Sequence, residues 1–282
     1  IEAIDPNTSI DMRNESIDFV YDGSTRDAEW SWKARYFIGR DEYDYKDPSY
    51  PYERRTDQQG AQAQVSWNPG QYRLTAGCDW VNYEIDSDLD PQKSEYDNPS
   101  YFLLGKAAYF EDRLILSGGL RYDEFEVEIK EGQGGSENDE HVSPRVGVAY
   151  FVIDNLKLRA NYGQGFKMPT AEELAGSFVS SWGTPYQGNP DLDPETSATY
   201  EAGLDWYHGA LDASLTYFRT DFEDKIEVVY SDSGAQTWKN IGEATVSGFE
   251  GQLSYDVGTL FDCPWEIRPY VNFTYLTEFE DD

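Results

Sequence analysis

The chain has 282 residues, and its 54 acidic against 22 Lys and Arg side chains give a net charge of −32 that excludes nucleic acid as a partner. Aromatics make up 16% of it, including 22 Tyr and 8 Trp, a composition that favours strands over helical bundles. No run approaches the roughly 18 apolar residues of a transmembrane helix. The mean hydropathy of −0.72 does not exclude a membrane barrel, because only alternate residues of a barrel strand face lipid.

In chain order, Ile1 to Glu15 is polar and turn-rich and has neither the basic nor the apolar region of a signal peptide. The expectation is a fragment or a mature segment whose first strand begins near Ser16. From there short turns alternate with long polar loops. The turns fall at Asn68-Pro69-Gly70, Glu111-Asp112, Asp154-Asn155 and His208-Gly209. The loops fall at about Asp41 to Thr56, Asp86 to Asn98, Lys130 to His141, Met168 to Glu195 and Ser231 to Gln236. Short and long connections at opposite ends predict an antiparallel meander, whereas Greek-key crossovers would scatter them.

Between the connections the residues alternate with period two. Leu74, Ala76, Cys78 and Trp80 oppose Arg73, Thr75, Gly77 and Asp79, and Leu156, Leu158, Ala160 and Tyr162 oppose Lys157, Arg159 and Asn161. Aromatics mark both ends of the apolar faces: Trp67, Tyr72, Tyr109 and Trp206 beside the turns, and Trp80, Tyr122, Tyr162 and Tyr217 about eight residues up. At roughly 3.3 Å per residue and a tilt near 40° those rows stand about 20 Å apart, close to the apolar band of an outer-membrane barrel. Beyond Trp80 and Tyr122 the apolar set changes phase, to Val81, Tyr83 and Ile85 and to Phe125, Val127 and Ile129, which reads as a bulge.

The stretch from Asn161 to Gly203 stands apart. It runs Y-G-Q-G-F-K-M-P-T-A-E-E-L, an irregular segment, then G-N-P-D-L-D-P-E-T-S-A-T-Y-E-A-G. Thr170 and Glu173 form a capping box for a short helix, Gly176 stops it, Asn189-Pro190 and Asp193-Pro194 turn the chain, and Thr196 to Trp206 resumes as a strand. A third block, W-K-N-I-G-E-A-T-V-S-G-F-E, spans Trp238 to Glu250.

In order and spacing the three blocks closely resemble the barrel region of TonB-dependent outer-membrane receptors. The matching positions are Phe166, Pro169, Glu173, Leu174, Asn189, Pro190, Leu192, Pro194, Glu195, Gly248 and Glu250. The resemblance implies an all-β fold, an antiparallel transmembrane β-barrel meander in which residues 1–282 supply roughly twelve strands of a larger barrel of the 22-strand type. It implies a plug domain and closing strands outside this sequence, and so two unpaired sheet edges. It implies the outer membrane of a Gram-negative bacterium and energised uptake of a metal chelate such as a ferric siderophore or cobalamin. The partners implied are outer-membrane lipid, the chelate, and an inner-membrane TonB-type complex acting through the plug; no cofactor is implied.

Residue chemistry does not suggest an enzyme: no G-x-S-x-G occurs, and His141 and His208, read as loop and turn residues, lie in no nucleophile context. Cys78 and Cys263 read as unpaired. Candidate ligand contacts are loop aromatics: Tyr43, Tyr45, Tyr50 and Tyr52, then Trp182 and Tyr186, then Tyr230 and Trp238, with packing of loop on loop as the alternative. Lumen-facing Arg73, Arg121, Lys157 and Arg159 are expected to pair either with a plug or with Asp79 and Asp123. Asp86, Asp88 and Asp90 alternate as weak calcium candidates without the glycine and glutamate of an EF-hand. The acidic loops disfavour a strongly anionic ligand. The rival reading, a soluble or surface β-sheet adhesin with calcium-binding acidic loops, predicts internal repeats and crossovers, and the sequence shows neither.

Overall fold

The computed structural model describes residues 8–48, 50–132, 136–180, 183–231, 234–261, 264–265 and 267–281. In chain order its elements are β1 (Ser9–Ser24), β2 (Trp30–Lys46), β3 (Tyr52–Trp67), β4 (Tyr72–Ser87), β5 (Lys93–Tyr109), β6 (Leu114–Glu131), β7 (Ser136–Ile153) and β8 (Leu156–Lys167). There follow α1 (Ala171–Ala175), β9 (Ser177–Val179), β10 (Pro185–Gln187), β11 (Glu195–His208), β12 (Leu211–Glu223), β13 (Ile226–Tyr230), β14 (Gln236–Asn240), β15 (Ala244–Tyr255), α2 (Val257–Phe261) and β16 (Tyr270–Asp281).

Twelve strands form one sheet in the order β1 to β8, β11, β12, β15, β16, each antiparallel to the next, with β1 and β16 at its edges. The expected meander is therefore observed. The other four strands, with α1, form a small cap in the order β13-β14-β10-β9.

Alternation sorts the side chains onto two faces. The outer face exposes Leu103, Leu120, Val146 and Leu158 at 46 to 56% between two aromatic rows. In the lower row Trp30 stacks on Trp67 at 6.0 Å and Tyr72 meets Tyr109 edge-on at 6.2 Å. In the upper row Tyr162 lies 5.0 Å from Tyr200 and Tyr217 5.3 Å from Phe249. Water would penalise so broad an apolar band, while lipid accommodates it without loss. The opposite, inner face is polar: Ser66 and Thr75, both buried, share a 2.7 Å hydrogen bond across β3 and β4.

Several expectations are corrected. Strand β1 already begins at Ser9, inside the stretch read as turn-rich. Most of Asp41 to Thr56, Asp86 to Asn98 and Lys130 to His141 is strand rather than loop, and His141 lies within β7. Charged residues extend these ladders because they pair across strands: Arg40 with Asp57, Lys93 with Glu84, Lys130 with Glu95. Connection lengths also mix at the turn end, where β15 and β16 are joined by residues 256–269, including α2.

No bulge stands at the phase changes just beyond Trp80 and Tyr122; the register shift in β6 comes further along, where Lys93 faces Glu131 and Ser94 faces Ile129. Pairing runs unbroken from Trp80↔Ala61 to Tyr83↔Gln58 and from Tyr122↔Val142 to Val127↔Glu137. What changes is the face that carries apolar residues. Above the apolar band Val127 turns inward and is 1% exposed, with Ile129 packed beside it, because the cap sits there.

Candidate functional site

The cap is built from the motif residues. Pro169 is fully buried at the end of β8 and supplies no amide to a ladder. Thr170 then caps α1: its hydroxyl accepts from the Glu173 amide at 3.2 Å, and the Glu173 carboxylate accepts from the Thr170 amide at 2.7 Å. The helix presents Ala171, Leu174 and Ala175 to a core shared with Val127, Leu192, Ile226 and Trp238. The Ala171 amide donates to the Tyr96 hydroxyl of β5, tying the cap to the wall.

Two connections, β8 to β11 and β12 to β15, are stitched into this unit. Strand β10 pairs in parallel with β14, Tyr186 opposite Gln236. The Asn189 side-chain amide donates to the Trp238 carbonyl at 2.9 Å. Asn240 accepts from the Asp193 amide and donates to the Asp193 carbonyl, both at 2.9 Å. The Glu195 carboxylate accepts from the Ile226 amide at 2.8 Å and pairs with Lys167 at 3.2 Å. Pro190 and Pro194 flank Leu192 in the turn between. Phe166 packs edge-on against Phe125 at 4.8 Å and stacks on His141 at 4.4 Å. Gly248 sits at a register shift in β15, where a Cβ would come within 2.4 Å of the Tyr275 carbonyl. Glu250 lies two residues on, opposite Thr216 and Thr274.

The predicted aromatics separate into two groups. Tyr43 and Tyr45 stand on β2 opposite Arg54 and Tyr52 of β3, on the face away from Trp30 and Trp67. Tyr43 lies 5.4 Å and Tyr45 5.6 Å from the Tyr52 ring, and the Arg54 guanidinium is 5.9 Å from the Tyr43 ring centre. Tyr50 occupies the connecting turn, its amide donating to Asp47 at 3.0 Å. The second group is packing: Tyr186 stacks on Phe178 at 5.0 Å, and Trp238 is 7% exposed beneath it. Trp182 lies outside the described residues, as does Cys263; Cys78 is free and exposed on the outer face.

Arg54 and Glu172 are additions that sequence reasoning missed. The signal was available: a short connection between β2 and β3 sets Arg54 opposite Tyr43. Burial first, then the Tyr43 hydroxyl, push the Tyr52 phenol up to about 12. Glu172 keeps one side open to solvent, yet the protein crowded around it raises its carboxyl above the usual range, with Glu173 adding like charge and Arg54 opposing.

A raised folded-state pKa means that Glu172 favours the docked cap below the ordinary glutamate range, and that this contribution is lost as pH rises through its raised value. Exchange of the Leu174 and Gly176 amides, which donate within and beyond α1, is expected to slow toward acid once intrinsic rates are divided out. Glu172→Gln should abolish the trend; a trend that survives would assign it elsewhere.

On the inner wall the cations divide. Arg121 pairs with Asp79 at 2.7 Å and Asp123 at 2.9 Å, and Lys157 and Arg159 share Asp205 at 2.7 and 3.4 Å. Arg73 has no such pair among the described residues. Asp88 accepts from the Glu53 amide at 3.0 Å, Asp86 lies 3.8 Å from Lys93, and Asp90 precedes a cis proline. Among the described residues no three His, Cys, Asp or Glu side chains gather as a metal ion would require.

Residues 4–282 match the family described as TonB dependent receptor-like, beta-barrel. A probable TonB-dependent siderophore receptor, PirA of Acinetobacter baumannii, is 27% identical over 258 residues, 74% of this chain and 32% of its own length. The ferric enterobactin receptor of Pseudomonas aeruginosa is 25% identical over 222 residues, covering 64% of this chain and 28% of that protein. The chain thus spans about a third of the curated relatives it matches. In fold it superposes on the Serratia marcescens hemophore receptor HasR with a TM-score of 0.81 at 20% identity, over 96% of this chain and 49% of that one. The twelve-strand antiparallel sheet is thus a known fold, and the chain belongs to the TonB-dependent receptor β-barrel family.

Proposed function

We propose that this chain is part of the barrel of an outer-membrane receptor that takes up a metal chelate, energised by a TonB-type inner-membrane complex acting through a plug domain. The observation that carries the reading is the inward-facing group Tyr43, Tyr45, Tyr52 and Arg54, standing above the lipid band and facing the cap. Phenol rings offer flat apolar area, and the guanidinium offers one anchor for an anionic group. The surrounding carboxylates repel high negative charge, so a chelate of low or delocalised charge fits best. Relatives named for siderophores, enterobactin and vitamin B12 support the class of ligand without choosing within it.

The chain folded into lipid vesicles is to be titrated with a ferric hydroxamate, a ferric catecholate, haem and cobalamin while tyrosine emission is followed. One class is expected to quench with micromolar or tighter affinity, and Tyr52→Ala to weaken it at least tenfold. Quenching by none of the four, or an unchanged affinity in Tyr52→Ala, removes the platform from the reading.

A further inference from the structure

The connection between β15 and β16 is the long one at the turn end. It takes residues 256–269, whereas residues 25–29, 68–71, 110–113, 154–155 and 209–210 close the other hairpins there. Its two arms are held together. The Tyr255 amide donates to the Pro269 carbonyl at 3.1 Å and the Val257 amide to the Ile267 carbonyl at 2.9 Å, which carries the pairing past the strand ends in the register of Ser254↔Tyr270. Arg268 lies 3.4 Å from Asp256, whose carboxylate also accepts from the Thr259 amide of α2 at 3.2 Å. The Asp256 amide donates to the Ala210 carbonyl of the neighbouring hairpin at 2.8 Å, and Gly258 lets the chain pass, since a Cβ there would come within 2.3 Å of the Trp265 carbonyl.

Alternation gives this extension a face. Phe249↔Tyr275 and Leu253↔Val271 belong to the outer apolar face, so Tyr255, Val257 and Ile267 continue it with period two, while Asp256 and Arg268 fall on the other side. At roughly 3.3 Å per residue and a tilt near 40°, Val257 and Ile267 stand about 5 Å beyond Tyr255. Past them Phe261 is 69% exposed and Trp265 68%, with Ile267 itself at 48%.

We infer that this connection is a foot that rests in the polar-apolar boundary of a neutral phospholipid leaflet, with Phe261, Trp265 and Ile267 as its contacts. The inference rests on the receptor reading above and goes beyond it, because contact with the membrane passes from the strands to a connection that a plain meander would leave in water. Continuity chooses lipid over a soluble partner: the apolar side chains prolong the outer face into the depth of about 5–10 Å that an interfacial segment occupies. An indole, apolar in its body and polar at its N–H, suits a boundary that is wet on one side. Charge chooses a neutral leaflet. The connection holds Asp256, Asp262 and Glu266 against Arg268 alone, so anionic headgroups gain nothing from it.

The chain folded into phosphatidylcholine vesicles is compared with Trp265→Phe, so that the difference in emission reports Trp265. Lipid brominated beside the headgroup is expected to remove most of that difference, and lipid brominated at the chain ends to remove little. Acrylamide in the water should quench it less than in the chain unfolded by urea. The double variant Phe261→Asp, Ile267→Asp is expected to lose the quenching by lipid at Trp265 while the other tryptophans keep theirs, which separates a lost contact from lost folding. A Trp265 signal untouched by brominated lipid and open to acrylamide overturns the inference and leaves the surface to a soluble partner; a requirement for anionic lipid overturns it too. If the other tryptophans are still quenched by lipid, this inference alone falls; if none is, the receptor reading falls with it.

Discussion

Gly105→Arg is expected to leave the lipid-embedded chain about 2–4 kcal/mol less stable than Gly105→Leu. Gly105 pairs with Gly118 across β5 and β6, midway between the aromatic rows, and no atom lies within 4 Å of the place its Cβ would occupy. Neither substitution meets a steric obstacle, and both remove the same glycine backbone freedom. The difference between them isolates the cost of placing a guanidinium against hydrocarbon. Denaturant unfolding in vesicles of defined thickness measures it, and equal stability of the two variants would show that this face does not meet lipid.

The second large effect is local. Trp238→Ala is expected to remove about 3–5 kcal/mol from the cap, the range for truncating a buried tryptophan. The indole is 7% exposed, lies 5.6 Å from the Tyr186 ring, and fills the core that α1 and Leu192 close. Hydrogen exchange should show lost protection at the Gly188 and Asn189 amides, which donate to Gly176 and Glu173, while the ladder between β4 and β5 keeps its protection. Uniform loss across both regions would mean that the cap and the wall unfold as one unit.

The wall was legible because an apolar outer face over a polar inner one is a rule that alternation can express. Leu74, Ala76, Cys78 and Trp80 read correctly as one face, since nothing else in the chain competes for it. Thr170 and Glu173 were legible for a different reason: a capping box is a local bargain between residues three apart. The phase change at Val81 and Phe125 misled because a one-dimensional pattern cannot separate an extra residue in a strand from an apolar set that moves to the opposite face. The charged ends of β2 to β7 resemble loops in the sequence because polarity mimics irregularity, whereas ion pairs such as Arg40 with Asp57 sustain the ladder. With the strand ends misplaced, Arg54 could not be set beside Tyr43. The shared core of Trp238 and Leu192 is not legible because the two residues belong to different connections and their partner Val127 lies on β6, far away in sequence.

The parallel pairing of β10 with β14, held at either side by Asn189 and Asn240, bears on how such receptors can be recombined. The two connections it joins leave different hairpins, so each supplies half of a shared interior and neither is a module. A chimera that imports only the first would strand the Trp238 carbonyl and leave Ile226 and Trp238 facing a foreign surface. Transplanted specificity has to travel as the pair, with Glu195 and Asn240 as the matched ends that tell a designer where to cut.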